Sequence, residues 1–562
     1  MKTLGRLGVL LALTALIGLL PLVSGNDPAL SVLRARISER EPDAAALASV
    51  RAELGLDAGP AGVLHHWLVR LVHGDLGTSW VSGEPVARQL VDAFGVSMTL
   101  TTAAAVVAVL VMAALVTRTL TRGLRGDATG DRGVVAAALA ALPEFLIGSV
   151  LLLVAGVHLG WFPTSGWRDL GNAVLPAVAL GTPAGAVLAV IAKDAVRNAL
   201  AEPWVRSWEA SGLRRRTSAL AVVRRAASVA SGQLGLLVAG MFGAAAVEVT
   251  FAVPGIGRLA VNAALAQDVP VVQACVLAIL LVGVLAGALG TVVQRLLLGP
   301  ALSDRALAAV APQTSAPSRH PALVALPAIG TAIVAWGLSR DPYAVDLSAR
   351  LLPPSAAHPM GTDAVGRDLL ARVGHGAVHT AALAVSVTAA VIVIGLLVGL
   401  AAKRSSVVAD IANALPPVVV ALPVAAVAGP GWTGALTAVT SVAWAPLASH
   451  ARSLAAEQRG SSLLTSVRAL GATRMHVVRR HVLPALVPPV VRNGLARLPA
   501  VALAVASLGF LGLGSQPPEP EWGLLLAEGM PHFEAAPWTV LFPAAALISL
   551  GVGAACLASR LR

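Results

Sequence analysis

The sequence predicts an all-α polytopic membrane protein with about twelve transmembrane helices, and three observations carry that reading. Apolar runs near 20 residues recur along all 562 residues, and about 20 residues is the length of a helix that crosses roughly 30 Å of hydrocarbon. Charged side chains make up only 12% of the chain, against roughly 25% in a soluble domain. The basic residues gather in alternate gaps between the runs, as they do beside the inner ends of membrane spans. A β-barrel would show short alternating segments instead, and these do not dominate.

The elements follow in order. Apolar runs lie near residues 4–23, 98–117, 134–157, 174–192, 229–250 and 270–293, then near 321–338, 380–402, 407–428, 432–449, 486–508 and 538–558. The first begins as a signal peptide does, with a basic start and an apolar stretch. Its apolar part, Leu7 to Val23, is long for a signal core and no A-x-A site follows, so it is expected to be retained as a span. The Pro-, Ser- and Ala-rich segment 299–320 reads as a linker between two halves, 1–298 and 321–562. With the N-terminus inside, inner segments hold 27 of the 41 Lys and Arg and outer segments 12. That asymmetry puts both termini and the linker in the cytoplasm. Two large outer loops, 24–97 and 339–379, follow the first span of each half and carry Gly, Pro and Asp in turn-forming combinations.

The net charge of +12 and a pI near 11.2 do not point to nucleic acid, because the basic residues sit in short loops beside spans. The two cysteines, Cys275 and Cys556, fall in apolar runs and read as small buried residues. No GxxxxGK[ST] phosphate loop surrounds any of the three lysines, Lys2, Lys193 and Lys403, so ATP is not expected to be bound here in the P-loop manner. No H-E-x-x-H is present. His65, His66 and His73 share a helical spacing in an outer loop, and no metal site is expected from them.

The two inner loops 193–228 and 450–485 repeat one another. The first contains WVRSWEASGLRRRTSALAVVRRAASVA (204–230) and the second SVRALGATRMHVVRRHVLP (466–484). Each has a Gly, then a basic helix-prone stretch leading into the fifth apolar run of its half. After each fifth run comes a Gly-x-Gly turn, Gly255 and Gly257 in the first half and Gly512 and Gly514 in the second. The loop Gly precedes the turn by 43 residues in one half and 41 in the other, which implies an internal pseudo-dimer. A basic inner helix can lie on anionic lipid or dock a cytoplasmic partner. Spacing alone leaves both open, with His476 and His481 on the second loop.

These loops resemble the cytoplasmic signature of binding-protein-dependent ABC importer permeases: E-A-A, three residues, Gly, then about a dozen residues to Leu-Pro. The second loop reads Thr465, Ser466, Val467 up to Gly471 and Ala472, then past His481 to Leu483-Pro484. The first reads Arg206, Ser207, Trp208 up to Gly212 and Leu213. In that family the segment is a coupling helix seated on the ATPase subunit. In the first half ELGLDAGP, GDLGTSWVSGEPV, LGWFPTSG and EVTFAVPGIGRLAVNAALAQDVPVVQ are similar to the first permease of the dipeptide/oligopeptide/nickel importers. In the second half GTDAVGRDLLARV and FLGLGSQPPEPEWG are similar to the second permease. The chain therefore resembles a fusion of the pair. The signature's E-A-A is replaced in both loops, and a Glu that often precedes the second permease's S-L-x-F-L-G-L-G run is Val505 here, whereas the first half keeps Glu248.

The resemblance implies the permease of an ATP-driven importer for peptides or a related small solute such as nickel chelates. It would work with two cytoplasmic ATPase subunits and an extracytoplasmic substrate-binding protein, in the plasma membrane of a bacterium. ATP and magnesium would sit on the partner subunits, with no cofactor on this chain. Glu248, Pro254, Gly255, Gly257, Gly512 and Gly514 are candidates to line the translocation path, since an intramembrane carboxylate faces a cavity or a partner; for Glu248 the alternative is a helix-end group near the interface. Glu144, after Pro143, and Arg492 read as interfacial, while Arg497 needs an acidic partner. A secondary transporter is the main rival; it would place ion sites in broken helices at mid-membrane, where acidic residues are scarce here. A non-transporting scaffold with altered loops is the other.

Overall fold

The structure is a computed structural model that describes residues 11, 14–23, 29, 33, 44–53, 59–125, 134–140, 142–231, 233–298, 322–400, 417–459 and 462–560. The linker 299–320, the start of the first apolar run and the start of the run at 407 lie outside these residues. Helices account for all the regular structure described. In the first half they are α1 (Leu20–Val23), α2 (Ala44–Glu53), α3 (Gly59–Val72), α4 (Val86–Gly123), α5 (Val134–Ala140), α6 (Glu144–Leu151), α7 (Gly171–Ala201), α8 (Pro203–Ala210), α9 (Arg215–Ser231), α10 (Leu234–Met241), α11 (Ala245–Thr250), α12 (Ile256–Leu265) and α13 (Val269–Leu298). In the second they are α14 (Ala322–Leu338), α15 (Leu369–Leu400), α16 (Pro417–Ala428), α17 (Trp432–Arg459), α18 (Ser462–Ala469), α19 (Arg474–Val477), α20 (Leu483–Ala496), α21 (Leu498–Phe510), α22 (Trp522–Gly529) and α23 (Trp538–Arg560). Contacts divide the described residues into two compact units, one within Met1–Leu90, Ala260–Leu277 and Arg319–Arg562 and the other within Val91–Leu259 and Ala278–Ser318.

Among the described residues four helices, α4, α7, α13 and α15, are long and apolar enough to cross a membrane, and Met475–Ala496 with α21 makes a fifth if its 43° bend is one span. The run 432–449 lies in the 28-residue α17, which is long but more polar, and shorter apolar helices lie at Glu144–His158, Ile329–Leu338 and Trp538–Leu550. Three runs expected to be continuous are broken. Residues 134–157 split at Pro143, whose ring cannot continue a helix from α5 into α6. Residues 229–250 become the end of α9, then α10 and α11, with a turn at Phe242–Ala244, where a methyl at Gly243 would stand 3.0 Å from the Ile279 side chain. Residues 486–508 bend at Arg497, just before the Leu498-Pro499 start of α21. On α13 the exposed Leu281, Leu285, Leu289 and Leu296 recur at helical spacing and form an apolar outward stripe suited to lipid.

The long helices approach closely through small residues, as helices do in lipid where no hydrophobic effect draws them together. In the first half the glycines are on α7: a methyl at Gly181 or Gly185 would strike the Ala104 and Ala108 carbonyls of α4. In the second half they are on α15: a methyl at Gly395 would stand 2.8 Å from Leu447 Cβ, and one at Gly399 2.6 Å from Ala451 Cβ, both on α17. The corresponding helix pair is tight in both halves, with glycine on opposite partners.

The loops that lead into the first long helix of each half also repeat. Each ends in a turn closed by one isolated bridge, Thr78 with Pro85 and Thr362 with Asp368, immediately before α4 and α15. Inside the first turn Ser79 Oγ accepts from the amides of Val81 (3.2 Å) and Ser82 (2.9 Å). Inside the second Asp363 Oδ1 accepts from Val365 (3.0 Å) and Arg367 (2.9 Å). A short side-chain acceptor bonded to backbone two or more residues on is what holds such turns.

Candidate functional site

The first basic loop is a helix, a glycine turn and a second helix. α8 starts at Pro203, where a missing amide costs nothing. It ends in a Schellman turn: Gly212 has φ +72°, and the Leu213 amide donates to Trp208 O at 3.1 Å. No atom lies within 4 Å of where a Gly212 side chain would be, so the glycine is required by its backbone angle and not by crowding. α9 then runs from Arg215, with Arg214, Arg215 and Arg216 exposed. Val205, Val222 and Ala226 are buried together with Val196 and Ala199 of α7, which seats the element on the end of a long helix.

The second loop has the same geometry 259 residues later. α18 ends at a turn with Gly471 at φ +88°, and the Ala472 amide donates to Val467 O at 3.3 Å. Here too the space beside the glycine is open. Thr473 Oγ1 accepts from the His476 amide at 3.3 Å, an N-cap for α19. Leu464, Val477, Val482 and Leu486 are buried with Ala455 of α17. Val205 matches Leu464 and Ser218 matches Val477 at the 259-residue offset, all four buried. Beyond them the match moves by one residue, Val222 to Val482 and Ala226 to Leu486. The π-helical turn Val478–Val482 absorbs that extra residue and restores the buried face.

The sequence-predicted loop residues divide into two kinds. Val467 and Ala472 are half-buried against the second cluster, and Pro484 opens α20 beside Leu483. Ser207 and Ser466 are exposed; Trp208 packs edge-on against Trp204 at 4.9 Å. Arg206 and Thr465 lie on α8 and α18, and their side chains are outside the described set. The tips are apolar and open, with Leu213 40% and Leu470 87% exposed. Apolar tips among exposed arginines on a rigid turn suit docking against a protein surface. His476 and His481 face one another at 6.0 Å, and no group of three metal-ligating side chains exists among the described residues.

The other predicted cluster surrounds Glu248, which is 1% exposed. Its Oε1 accepts from Ser97 Oγ of α4 at 2.7 Å, and its Oε2 from the Arg258 amide of α12 at 2.8 Å. Ser97 Oγ in turn accepts from the Ile256 amide at 2.8 Å. Gly255 and Gly257 lie on this carboxylate: a methyl at Gly257 would stand 3.0 Å from Oε2, and one at Gly255 would overlap it. Both carboxylate oxygens are thus engaged in joining α4, α11 and α12. Pro254 is exposed beside them. In the second half Gly512 has φ +74°, and a methyl at Gly514 would stand 2.9 Å from the Gly509 backbone.

Two features escaped the sequence reading. Glu521, 1% exposed, caps α22 through the Gly523 and Leu524 amides, both at 2.9 Å. A charge cluster joins Arg367 Nε to Asp363 at 2.7 Å, Arg372 Nη1 to Asp363 at 2.9 Å, and both arginines to Glu528. Arg372 is fully buried, beside a cavity of about 220 Å³ that Asp363, Arg367, Glu528, His532 and Thr539 also line. The alternating charges of GTDAVGRDLLAR, in a loop entering an apolar run, were the available signal. Their partner Glu528 lies 156 residues from Arg372 and carries no local mark.

Comparison with known proteins agrees with the internal repeat. Residues 133–299 and 387–561 each match the family model described as binding-protein-dependent transport system inner membrane component. Over 226 residues the chain is 35% identical to the probable D,D-dipeptide transport system permease protein DdpC of Escherichia coli (strain K12), covering 39% of this chain and 76% of that protein. It is 32% identical over 231 residues to the dipeptide transport system permease protein DppC of Alkalihalophilus pseudofirmus, 40% of this chain and 76% of that one. It is 33% identical over 224 residues to the peptide transport system permease protein SapC of Escherichia coli O6:H1, 37% and 76% respectively.

Proposed function

Because the chain belongs to the family of binding-protein-dependent transport system inner membrane components, we propose that it is two permeases fused in one chain, serving an ATP-driven importer of peptides. The observation that carries this is the duplicated helix–glycine–helix element, one copy inside each stretch that matches the family. Peptides are the natural substrate class, since the relatives are named as dipeptide, D,D-dipeptide and peptide permeases.

In this reading residues 1–298 and 321–562 are the two permease halves, and 299–320 is a cytoplasmic linker. The turns at Gly212 and Gly471 each seat one cytoplasmic ATPase subunit, with ATP and magnesium held by those subunits. An extracytoplasmic binding protein delivers the peptide to the outer loops. The protein sits in the plasma membrane of a bacterium with both termini in the cytoplasm. A docked turn can transmit movement because it is stiff: a Schellman turn sets its angle, and a buried cluster fastens it to α7 or α17. ATP binding then shifts a two-state equilibrium by favouring one arrangement of these elements over the other.

The test is capture of candidate ATPase subunits by the detergent-purified chain, wild type against a Gly212→Asp/Gly471→Asp double variant. Both sites are open and aspartate tolerates positive φ better than most residues, so the variant is expected to fold, which a thermal melt checks. Retention by the wild type and loss by the folded variant support the proposal. Retention by neither, under conditions where a related importer retains its ATPase, turns the reading to a secondary transporter or a scaffold.

A further inference from the structure

The buried carboxylate of the first half has a counterpart in the second that comes from a different place in the chain. In the first half three groups meet: the Ser97 hydroxyl, the first amide of the short helix α12 at Ile256, and Glu248. Ser97 lies eleven residues after the start of α4. Eleven residues after the start of α15 is Thr380. Its hydroxyl accepts from the first amide of the short helix α22, at Trp522 (3.4 Å), and donates to Glu521 Oε1 (3.3 Å). The two halves thus build the same junction: a hydroxyl on the first long helix, the leading amide of a short helix, and one carboxylate 1% exposed.

The carboxylates reach this junction from opposite sides of the intervening turn. Glu248 stands seven residues before Gly255 of the Gly-x-Gly turn, and the matching residue before Gly512 is Val505. Glu521 instead immediately precedes α22, where the first half has Gly255 immediately before α12. The glycines exchange with them. Gly255 leaves the room that Glu248 fills, and Gly509 leaves the room that Glu521 Oε2 fills. Val505, buried, lies one turn before Gly509 on the same face of α21. A longer side chain there would point toward the Glu521 carboxylate.

We propose that Glu521 is the positioning carboxylate of the second half, doing from the start of α22 what Glu248 does from α11, and that this is why Val505 can be apolar. One carboxylate serves each junction. Its oxygens satisfy helix-start amides that have no partner within the helix, and its hydroxyl contact ties that helix to the first long helix of the half. A second carboxylate in the same buried space would be repelled by the first.

The experiment moves the carboxylate within the full chain: Glu521→Ala, Val505→Glu, and the Val505→Glu/Glu521→Ala exchange. The thermal midpoint in detergent is the first readout, and it needs no transport activity. Glu521→Ala is expected to lower it by about 1–3 °C, as loss of a buried helix cap does in a chain this large. Val505→Glu alone lowers it as well, and the exchange recovers at least half of the Glu521→Ala loss. The second readout is pH. A midpoint whose change between pH 5 and pH 8 is clear in the wild type, smaller in Glu521→Ala and restored in the exchange marks a carboxylate at the junction and not merely filled space. Glu519, which acts electrostatically on Glu521, and His379, 3.6 Å from Glu519, are unchanged throughout. An exchange variant that melts no higher than Glu521→Ala overturns the proposal. Only the third readout rests on the importer reading: ATP-driven uptake of labelled alanyl-alanine by vesicles holding the chain and its partners, about tenfold lower in Glu521→Ala and within threefold of wild type in the exchange. A wild type that does not transport counts against that reading alone, and recovery of the midpoint still supports the relocated carboxylate.

Discussion

Arg225 and Glu202 form a half-buried ion pair of 3.2 Å that clamps α9 onto the start of α8. The other Glu202 oxygen accepts from Trp204 Nε1 at 2.7 Å, and Trp204 packs on Trp208, the residue whose carbonyl closes the Gly212 turn. The corresponding positions of the second half are Ser461 and Ala485, which cannot form this pair. The clamp therefore belongs to one loop only. Arg225→Met keeps the packing of the side-chain stem and removes the charge. The pair is partly screened, so its stability contribution is about 1 kcal/mol or less and the melt moves little. Under the proposed docking of an ATPase subunit at this turn, affinity for it, measured by titration, is expected to fall about threefold or more, because the loop no longer holds one orientation. Unchanged affinity would mean that the buried cluster alone sets the loop.

Gly212 and Gly471 hold positive φ in open space. A Cβ there costs about 1–2 kcal/mol through backbone strain and nothing through collision. The expected order of thermal midpoints at either site is Gly, then Asn, then Ala, then Val. An alanine variant as stable as wild type would show that the turn relaxes to another conformation.

Burial pushes the Glu521 carboxyl from its ordinary 4.5 up to about 7, against the lowering effect of the Gly523 and Leu524 amides. The folded state thus keeps a proton that the unfolded chain has released. The stability this contributes is complete below about pH 4.5 and is lost as the pH rises through 7. The midpoint of the wild type should fall between pH 5 and pH 8, and that of Glu521→Gln should be much flatter over the same range. A wild-type midpoint that rises across this window would contradict the assignment.

Arg372 has no exposed surface and faces Asp363 and Glu528. Removing it leaves Asp363 and Glu528 to share Arg367 alone, and taking one partner from a buried ion network costs about 3–5 kcal/mol. Arg372→Met should therefore express poorly or melt far below wild type. Arg372→Met/Glu528→Leu should recover part of the loss, since a matched apolar pair leaves fewer unpaired charges. If the double variant is as damaged as the single one, Glu528 is not the partner that matters.

Some of this was readable along the chain. The apolar runs at 98–117, 174–192 and 270–293, and 380–400 of the next, coincide with long helices, because about twenty apolar residues in lipid must satisfy their backbone groups internally, and in 174–192 the helix continues even through Pro176 and Pro183. The breaks were marked as well: Pro143, Gly243 and the Leu498-Pro499 pair interrupt runs that hydropathy alone joins. Gly212 and Gly471 were legible as a repeat because a Schellman turn needs its glycine at one position, whatever surrounds it.

What the sequence by itself determined is the all-helical membrane class, the two related halves and the two glycine turns. Each follows from composition or from backbone constraints between near neighbours. Only the tertiary structure decided where the buried polar groups meet. Glu248 finds Ser97 across 151 residues, Glu521 finds Thr380 across 141, and Arg372 finds Glu528 across 156. A carboxylate in a low-dielectric interior must have partners, but nothing in that requirement says from which stretch of chain they come. The same freedom let Glu521 take up the position that Val505 leaves empty, and let the glycines of the tight helix pair change sides between the halves.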